Sequence, residues 1–117
     1  MNLERYKVLK LTLVRKWFAM VAREDKKEEY RVETPWIMSR LEKRGKDVRY
    51  DIVEFRNGYG PDVPVVWMEY RGFTRGPGRQ VWGAKPGSQY VIILLGKRLG
   101  VQNWNPDSML VAPGHRE

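Results

Sequence analysis

A short charged segment, residues 26–31 (KKEEYR), carries the side chains best suited to bind or process a phosphate-containing ligand. Alternate side chains of an extended strand share a face, so Lys27, Glu29 and Arg31 should point the same way. A carboxylate held between cations stays ionised, and it can accept hydrogen bonds from a base edge while the cations bind phosphate oxygens. Lys26, in the turn before the strand, would reach this cleft from its rim. The alternative is a solvated strand edge, where an exposed ion pair contributes only ~0–1 kcal/mol.

Aromatic residues beside cations form a second chemical pattern. Single-stranded nucleic acid needs rings that stack on bases and cations that neutralise phosphates, and Trp82 lies in a Gly-rich loop with Arg79 and Lys85. Tyr59, between two glycines, offers a ring or a hydroxyl, or else covers one end of the fold. Trp17 belongs to an apolar helical stripe, and is either a core residue or a stacking ring at the edge of the cleft.

The two patterns together define the candidate site. Arg15 and Lys16 extend the positive charge along the helix that carries Trp17, or serve only solubility, and Asn57 begins the Gly-rich segment around Tyr59. The candidate catalytic residues are Lys26, Glu29, Arg31 and Tyr59. The candidate nucleic-acid-binding residues are Arg15, Lys16, Trp17, Lys27, Asn57, Arg79, Trp82 and Lys85.

The composition excludes several kinds of chemistry. The 117 residues include no Cys and one His, His115, which rules out thiolate chemistry and zinc-binding His clusters and disfavours a Ser-His-Asp triad. The segment 76–78 (GPG) lacks P-loop and dinucleotide-binding spacing, so no cofactor and no metal site are expected. A formal net charge of +8 favours an anionic partner, with nucleic acid first.

No apolar run approaches the ~20 residues of a membrane span, and Arg15 and Lys16 interrupt the opening apolar stretch before it could form a signal-peptide core. The sequence therefore predicts a cytoplasmic protein with no membrane partner. A chain of this length is expected to form one domain. Its core should cover about residues 8–104, followed by a C-terminal tail at 105–117.

The hydrophobic pattern predicts a strand, a helix and a second strand at the start of the chain. Residues 8–13 form the first strand, and apolar side chains at the i, i+3, i+4 and i+7 positions from Val14 then indicate an amphipathic helix. Residues 27–33 form the next strand. A second helix should run from Pro35 to about Arg44, because Thr34 is a good N-cap, Pro35 suits the first turn, and Gly45 can end the helix.

The second half of the chain reads as strands and turns. Strands are predicted at 48–56, 65–75 and 90–95, with a loop at 57–61 and a long basic loop at 75–88, and the residues through Trp104 can supply one more strand. The first of these strands changes its apolar phase between Ile52 and Val53, which indicates a bulge or burial on both faces. The predicted class is α+β, a small curved sheet or barrel flanked by two helices.

Three features together resemble the N-terminal signature of the ASCH domain, a PUA-like β-barrel family: the segment 11–13 (LTL), Trp17 and the charged segment. The signature is a strand, a Trp-bearing helix and then Gly-x-Lys-x-x-Glu-x-Arg. Lys26, Glu29 and Arg31 match this motif in register, whereas Glu24 stands where the family has its glycine. Segments 57–60 (NGYG), 82–84 (WGA) and 90–92 (YVI) are similar to a bacterial or phage branch, so the resemblance covers about residues 8–104.

The resemblance implies a PUA-like barrel with a basic cleft that recognises single-stranded RNA or a modified nucleotide. The alternative is a single-strand ribonuclease, metal-independent or metal-assisted, in which Lys26 or Tyr59 helps deprotonate the 2′-hydroxyl and Arg31 stabilises phosphorane charge. An N4-acetylcytidine amidohydrolase fits less well, because Glu29 stands where those relatives carry Thr. A protein-interaction module is a third class, which the exposed aromatic residues keep open.

Overall fold

The computed structural model describes residues 2–106, which contain two α-helices and seven strands. In chain order they are β1 (Val8–Thr12), α1 (Arg15–Ala22), β2 (Glu28–Arg31), α2 (Pro35–Leu41), β3 (Glu42–Lys43), β4 (Lys46–Asp47), β5 (Ile52–Arg56), β6 (Val65–Gly76) and β7 (Tyr90–Gln102). A 3₁₀ turn at Gln80–Trp82 lies in the loop between β6 and β7. No helix in this range is long and apolar enough to cross a membrane.

Five strands form one curled sheet in the order β1-β5-β6-β7-β2. β1 and β5 are parallel, and the other neighbours are antiparallel. Strand twist curls the sheet into a half-barrel, and its two edge strands meet where Arg31 Nη2 donates a 2.7 Å hydrogen bond to the Thr12 carbonyl. The predicted α+β class, a small curved sheet with two helices, is confirmed.

The main core brings the two helices against the sheet, with Phe18 from α1 and Ile37 from α2 among its buried residues. A smaller apolar cluster includes Ile52, whereas the adjacent Val53 belongs to the main core. Because side chains alternate along a strand, this division means that β5 is buried on both faces. The phase change predicted between these two residues therefore reflects two-sided burial.

The helix α2 begins as predicted but ends earlier. Thr34 Oγ1 accepts a hydrogen bond from Ile37 N, as expected of an N-cap. The helix stops at Leu41 rather than near Arg44, and β3 and β4 form a tight hairpin around Arg44 and Gly45. Glycine suits both a helix C-terminus and a hairpin turn, so the sequence pattern alone did not separate them.

Three further boundaries differ from the predictions. The strand predicted at 48–56 begins only at Ile52, and the strand at 27–33 covers only 28–31. β7 continues through Gln102 as one long strand where two were predicted, because register shifts let it bend while it stays paired with β6. Of the predicted tail, residues 107–117, with His115, lie outside the described residues.

Candidate nucleic-acid interface

An ion-paired triad links the turn after α1 to strand β2. The Glu29 carboxylate accepts a 2.7 Å hydrogen bond from Lys26 Nζ at Oε1 and another from Arg31 Nε at Oε2. The exposed fraction of the side chain is 1% for Lys26, 7% for Glu29 and 26% for Arg31. Charge-assisted bonds of this length orient both partners. Glu29 therefore fixes Arg31, the member of the triad that reaches solvent.

Lys26 lies in the interior rather than at the rim of a cleft. Its ammonium is 5.7 Å from the ring centre of Trp17 and 5.4 Å from that of Tyr30. The loop between β6 and β7 closes over these rings, with Gly78 against Tyr30 and Gly83 against Trp17. Two aromatic faces and one carboxylate thus replace the water around this cation.

The turn after α1 directs the chain from the helix toward Lys26. It closes in a Schellman motif, in which the N–H groups of Glu24 and Asp25 bond to carbonyls of the last helical turn. Glu24 has a φ of 65°, a left-handed conformation that glycine adopts more readily than glutamate. The Arg98 backbone N–H donates to Glu24 Oε1 at 3.1 Å, and this bond lowers the pKa of the Glu24 carboxyl.

Two adjoining cavities form a groove along α1 and the end of β1. Their volumes are about 890 and 500 Å³, and they share Val14 and Asn57 in their walls. Among residues 2–106, no carboxylate lines either cavity. The groove brings together five of the candidate residues, and it adds Arg23. These five are Arg15, Lys16, Arg31, Asn57 and Tyr59.

The turn after β5 presents Asn57 and Tyr59 to this groove. Asn57 Nδ2 donates to the Leu13 carbonyl at 3.0 Å, which ties the turn to the end of β1. Arg56 Nη2 donates to the Gly60 carbonyl at 2.7 Å and closes the turn from the other side. Tyr59 is 87% exposed, so it does not cover the end of the sheet.

Trp17 serves packing in this structure. It is half-buried and packs against the main core, and its ring touches Gly83 of the loop. The Lys16 ammonium lies 4.6 Å from its ring centre. Of the two roles considered for Trp17, packing in the core fits these contacts better than stacking on a base.

Lys27 does not join the face of Glu29 and Arg31. Its ammonium is instead 3.5 Å from Glu24 Oε1 and 3.4 Å from the Gly96 carbonyl. The strand β2 begins only at Glu28, so the alternation expected of a strand does not extend to Lys27. Lys27 therefore pairs with Glu24 rather than with Glu29.

The loop between β6 and β7 holds the remaining candidates. The Arg79 guanidinium lies 4.7 Å from the ring centre of Trp82, and Lys85 is exposed. None of the three is among the described lining residues of the groove. They form a separate aromatic and cationic patch on the loop that covers Lys26.

Tyr30 is a site residue that the sequence analysis missed. Its hydroxyl donates to Glu28 at 2.7 Å and accepts from the Arg79 backbone N–H at 2.9 Å, so it fastens the loop to β2. Burial raises the pKa of Tyr30 to about 12, which keeps the hydroxyl protonated. Because side chains alternate along a strand, Tyr30 lies on the same face as Glu28, opposite Glu29. This spacing was the feature of the sequence from which the contact could have been predicted.

Comparisons of the chain with protein-family models, curated proteins and solved structures give no match. Within residues 2–106, no group of three His, Cys, Asp or Glu side chains is arranged to hold a metal ion. The chemistry of the groove must therefore be inferred from its own residues.

Proposed function

We propose that this protein is a small RNA-binding domain of the ASCH, PUA-like type, with single-stranded RNA in the groove beside α1. Arg31 carries the proposal. Its guanidinium lines a groove with no carboxylate among the described lining residues, and the buried Glu29 holds it in one orientation. Nε and Nη2 are bonded within the protein, which leaves the other N–H groups of the fork for a phosphate or a base carbonyl.

The rest of the groove supplies charge and a ring. Lys16 and Arg23 line its α1 side, where they can neutralise successive phosphates. The exposed ring of Tyr59 can stack on an unpaired base, an interaction worth ~1–3 kcal/mol per base. Asn57 adds an amide beside Arg31 and Tyr59 for hydrogen bonds to a base edge.

A ribonuclease is the second candidate, because Arg31 and Tyr59 line the same cavity. In that case Tyr59 would help deprotonate the 2′-hydroxyl and Arg31 would stabilise the charge on the phosphorane. Lys26 does not suit the role of base, since its ammonium is buried and bonded to Glu29. Cleavage would therefore depend on Tyr59, and Tyr59→Phe would abolish it without abolishing binding.

The test is equilibrium binding of a labelled single-stranded oligouridylate over a range of salt concentrations. On a log–log scale, the affinity should fall by ~0.7 per phosphate neutralised. Lys16→Gln should weaken binding and reduce this slope. Lys97→Gln, which removes an exposed charge that does not line the groove, should leave binding unchanged.

Two outcomes would overturn the proposal. One is an affinity that does not change with salt, and the other is equal weakening in Lys16→Gln and Lys97→Gln. Gel analysis of the bound RNA separates the two candidate functions. Intact RNA supports a binding domain, whereas cleavage that disappears in Tyr59→Phe supports the ribonuclease.

A further inference from the structure

The β3–β4 hairpin separates positive from negative charge on its two faces. Glu42 pairs with Asp47, and Lys43 pairs with Lys46. Directly opposed residues of an antiparallel pair share a face, so one face is acidic and the other is basic. The acidic face lies toward Arg75. The pKa of the Arg75 guanidinium is raised chiefly by the hydrogen bond that it donates to Glu33, and also by the charges of Glu42 and Asp47.

The basic face is unfavourable for the folded chain alone. Like charges directly opposite one another destabilise a strand pair, and Lys43 faces Lys46. Between them, Arg44 and Gly45 have φ values of 54° and 76°, as in a type I′ turn. That turn favours Asn before Gly, so an arginine at this position is strained. Strain and repulsion of this kind concentrate at functional sites.

Four cations of the hairpin region have no anionic partner among the described residues. Across residues 2–106, no ion pair is formed by Lys43, Arg44, Lys46 or Arg49. All four are exposed. Their charge is therefore available to an external polyanion.

The helix α2, which leads into the hairpin, carries an exposed aromatic residue beside another cation. Trp36 is 51% exposed, and the Arg40 guanidinium lies 5.1 Å from its ring centre. Trp36 and Arg40 also border a cavity of about 240 Å³, which Lys10 of β1 lines from the other side. Proteins that bind single-stranded nucleic acid combine an exposed aromatic ring, on which a base stacks, with nearby cations that bind the phosphates.

We propose that the hairpin and the Trp36–Arg40 pair of α2 form a second contact surface for single-stranded RNA, separate from the groove. Trp36 would stack on a base, and the cations would bind the flanking phosphates. The residues of this basic hairpin surface are Trp36, Arg40, Lys43, Arg44, Lys46 and Arg49.

The strand β1 sets the distance between the two surfaces. The cavity beside Trp36 lies at its start, next to Val8 and Lys10, and the groove lies at its end, next to Thr12. From Val8 to Thr12 the strand spans about 13 Å. One RNA strand that engages both surfaces must therefore be longer than a strand that fills the groove alone.

The experiment compares a short oligouridylate, which fills only the groove, with one several times longer. Arg44→Asn is the main variant, because it removes a charge and puts the preferred residue in the turn. It should weaken binding of the long oligonucleotide about fivefold and lower its salt slope by about 0.7, the change expected when one phosphate contact to a single strand is lost. Binding of the short oligonucleotide should not change. Lys97→Gln, outside both surfaces, should alter neither.

A second pair of variants separates this proposal from the groove. Lys16→Gln/Arg31→Gln disables the groove, and the residual salt-dependent binding of the long oligonucleotide should then weaken by about a further fivefold when Arg44→Asn is added. If the wild type binds only the long oligonucleotide and Arg44→Asn weakens this binding, the groove proposal fails and the hairpin proposal stands.

Three results would overturn the basic hairpin surface. The first is an unchanged affinity of Arg44→Asn for the long oligonucleotide. The second is equal weakening for both lengths. The third is an effect of Arg44→Asn on binding to phosphatidylserine vesicles with none on RNA, which would identify the surface as a membrane contact instead.

Discussion

Among single residues, Glu29 supports the site more than any other, because one buried carboxylate holds two cations. Removing one partner of a buried pair leaves an uncompensated charge, which typically costs ~3–5 kcal/mol. Loss of the Glu29 carboxylate would leave both Lys26 and Arg31 without their anionic partner in the triad. Loss of Lys26 would leave the pair between Glu29 and Arg31 intact.

Glu29→Gln should therefore lower the free energy of unfolding by about 3 kcal/mol. Lys26→Met should lower it less, because an unbranched apolar side chain fills the same space between the rings of Trp17 and Tyr30. Urea unfolding of the two variants measures the difference. Equal losses, or a greater loss for Lys26→Met, would contradict the view of Glu29 as the shared partner.

Arg44 makes a second prediction at this scale. Its φ of 54° is costly for an arginine, whereas asparagine tolerates it, so Arg44→Asn should raise the free energy of unfolding by about 1 kcal/mol. The loss of repulsion from Lys43 and Lys46 acts in the same direction. A chemical denaturation curve with an unchanged or lower midpoint would show that the turn is not strained.

The sequence predicted which residues form the triad, but it did not predict how deeply Lys26 and Glu29 are buried. Glu29 and Arg31 were found from strand alternation, which is a local property. The burial of Lys26 depends on a loop more than fifty residues later in the chain, and no local pattern reports such a contact. The same distance hid the role of Tyr30, whose hydroxyl meets Arg79.

Among the elements, the loop between β6 and β7 determines how deeply the triad is buried. Tyr30 binds the Arg79 backbone, and the Tyr90 hydroxyl accepts from the Lys85 backbone N–H at 2.9 Å. The two tyrosine rings lie 5.6 Å apart. A side chain at Gly78 would bring its Cβ within 2.7 Å of the Tyr30 ring, so this close approach requires glycine.

This attachment should weaken at alkaline pH. The pKa of Tyr30 is raised to about 12 in the folded protein, so the unfolded chain loses this proton first, above about pH 10. The stability that Tyr30 contributes is complete below pH 10 and is lost as the pH rises toward 12. Tyr70, whose pKa burial also raises to about 12, adds to the loss.

Tyr30→Phe should therefore lose less stability than the wild type between neutral pH and about pH 11. The difference between the urea midpoints of each protein at the two pH values is the quantity to compare, because the variant also loses two hydrogen bonds at neutral pH. An equal alkaline loss in both proteins would show that Tyr30 does not titrate as described.

Element prediction succeeded where the signal was local. Thr34 and Pro35 predicted the start of α2. The phase change between Ile52 and Val53 predicted a bulge or burial on both faces, and the structure shows the second. The prediction failed at Gly45, because one glycine satisfies a helix end and a hairpin turn alike. It also failed in β7, where continuity depends on pairing with β6 rather than on the strand's own residues.

At the scale of the whole molecule, the two proposed contact surfaces lie near opposite ends of β1. The edge strands β1 and β2 meet at the hydrogen bond from Arg31 to Thr12. The groove lies at this end of β1, and the basic hairpin surface lies near the other end. Both surfaces carry cations, and under the two proposals a single nucleic-acid strand could run from one to the other.

The central claim is that a fixed Arg31 binds RNA in the groove, and Arg31→Lys tests it most directly. Arg75 is the matched control, because its Nε also bonds a glutamate, Glu33, at 2.7 Å, but on the exposed surface. Lysine keeps the charge and loses the planar fork. In one equilibrium titration with single-stranded RNA, Arg31→Lys should bind about tenfold more weakly than the wild type, a loss of ~1.4 kcal/mol, and Arg75→Lys should bind normally. Unchanged affinity in Arg31→Lys, or the same loss in both variants, would contradict the account.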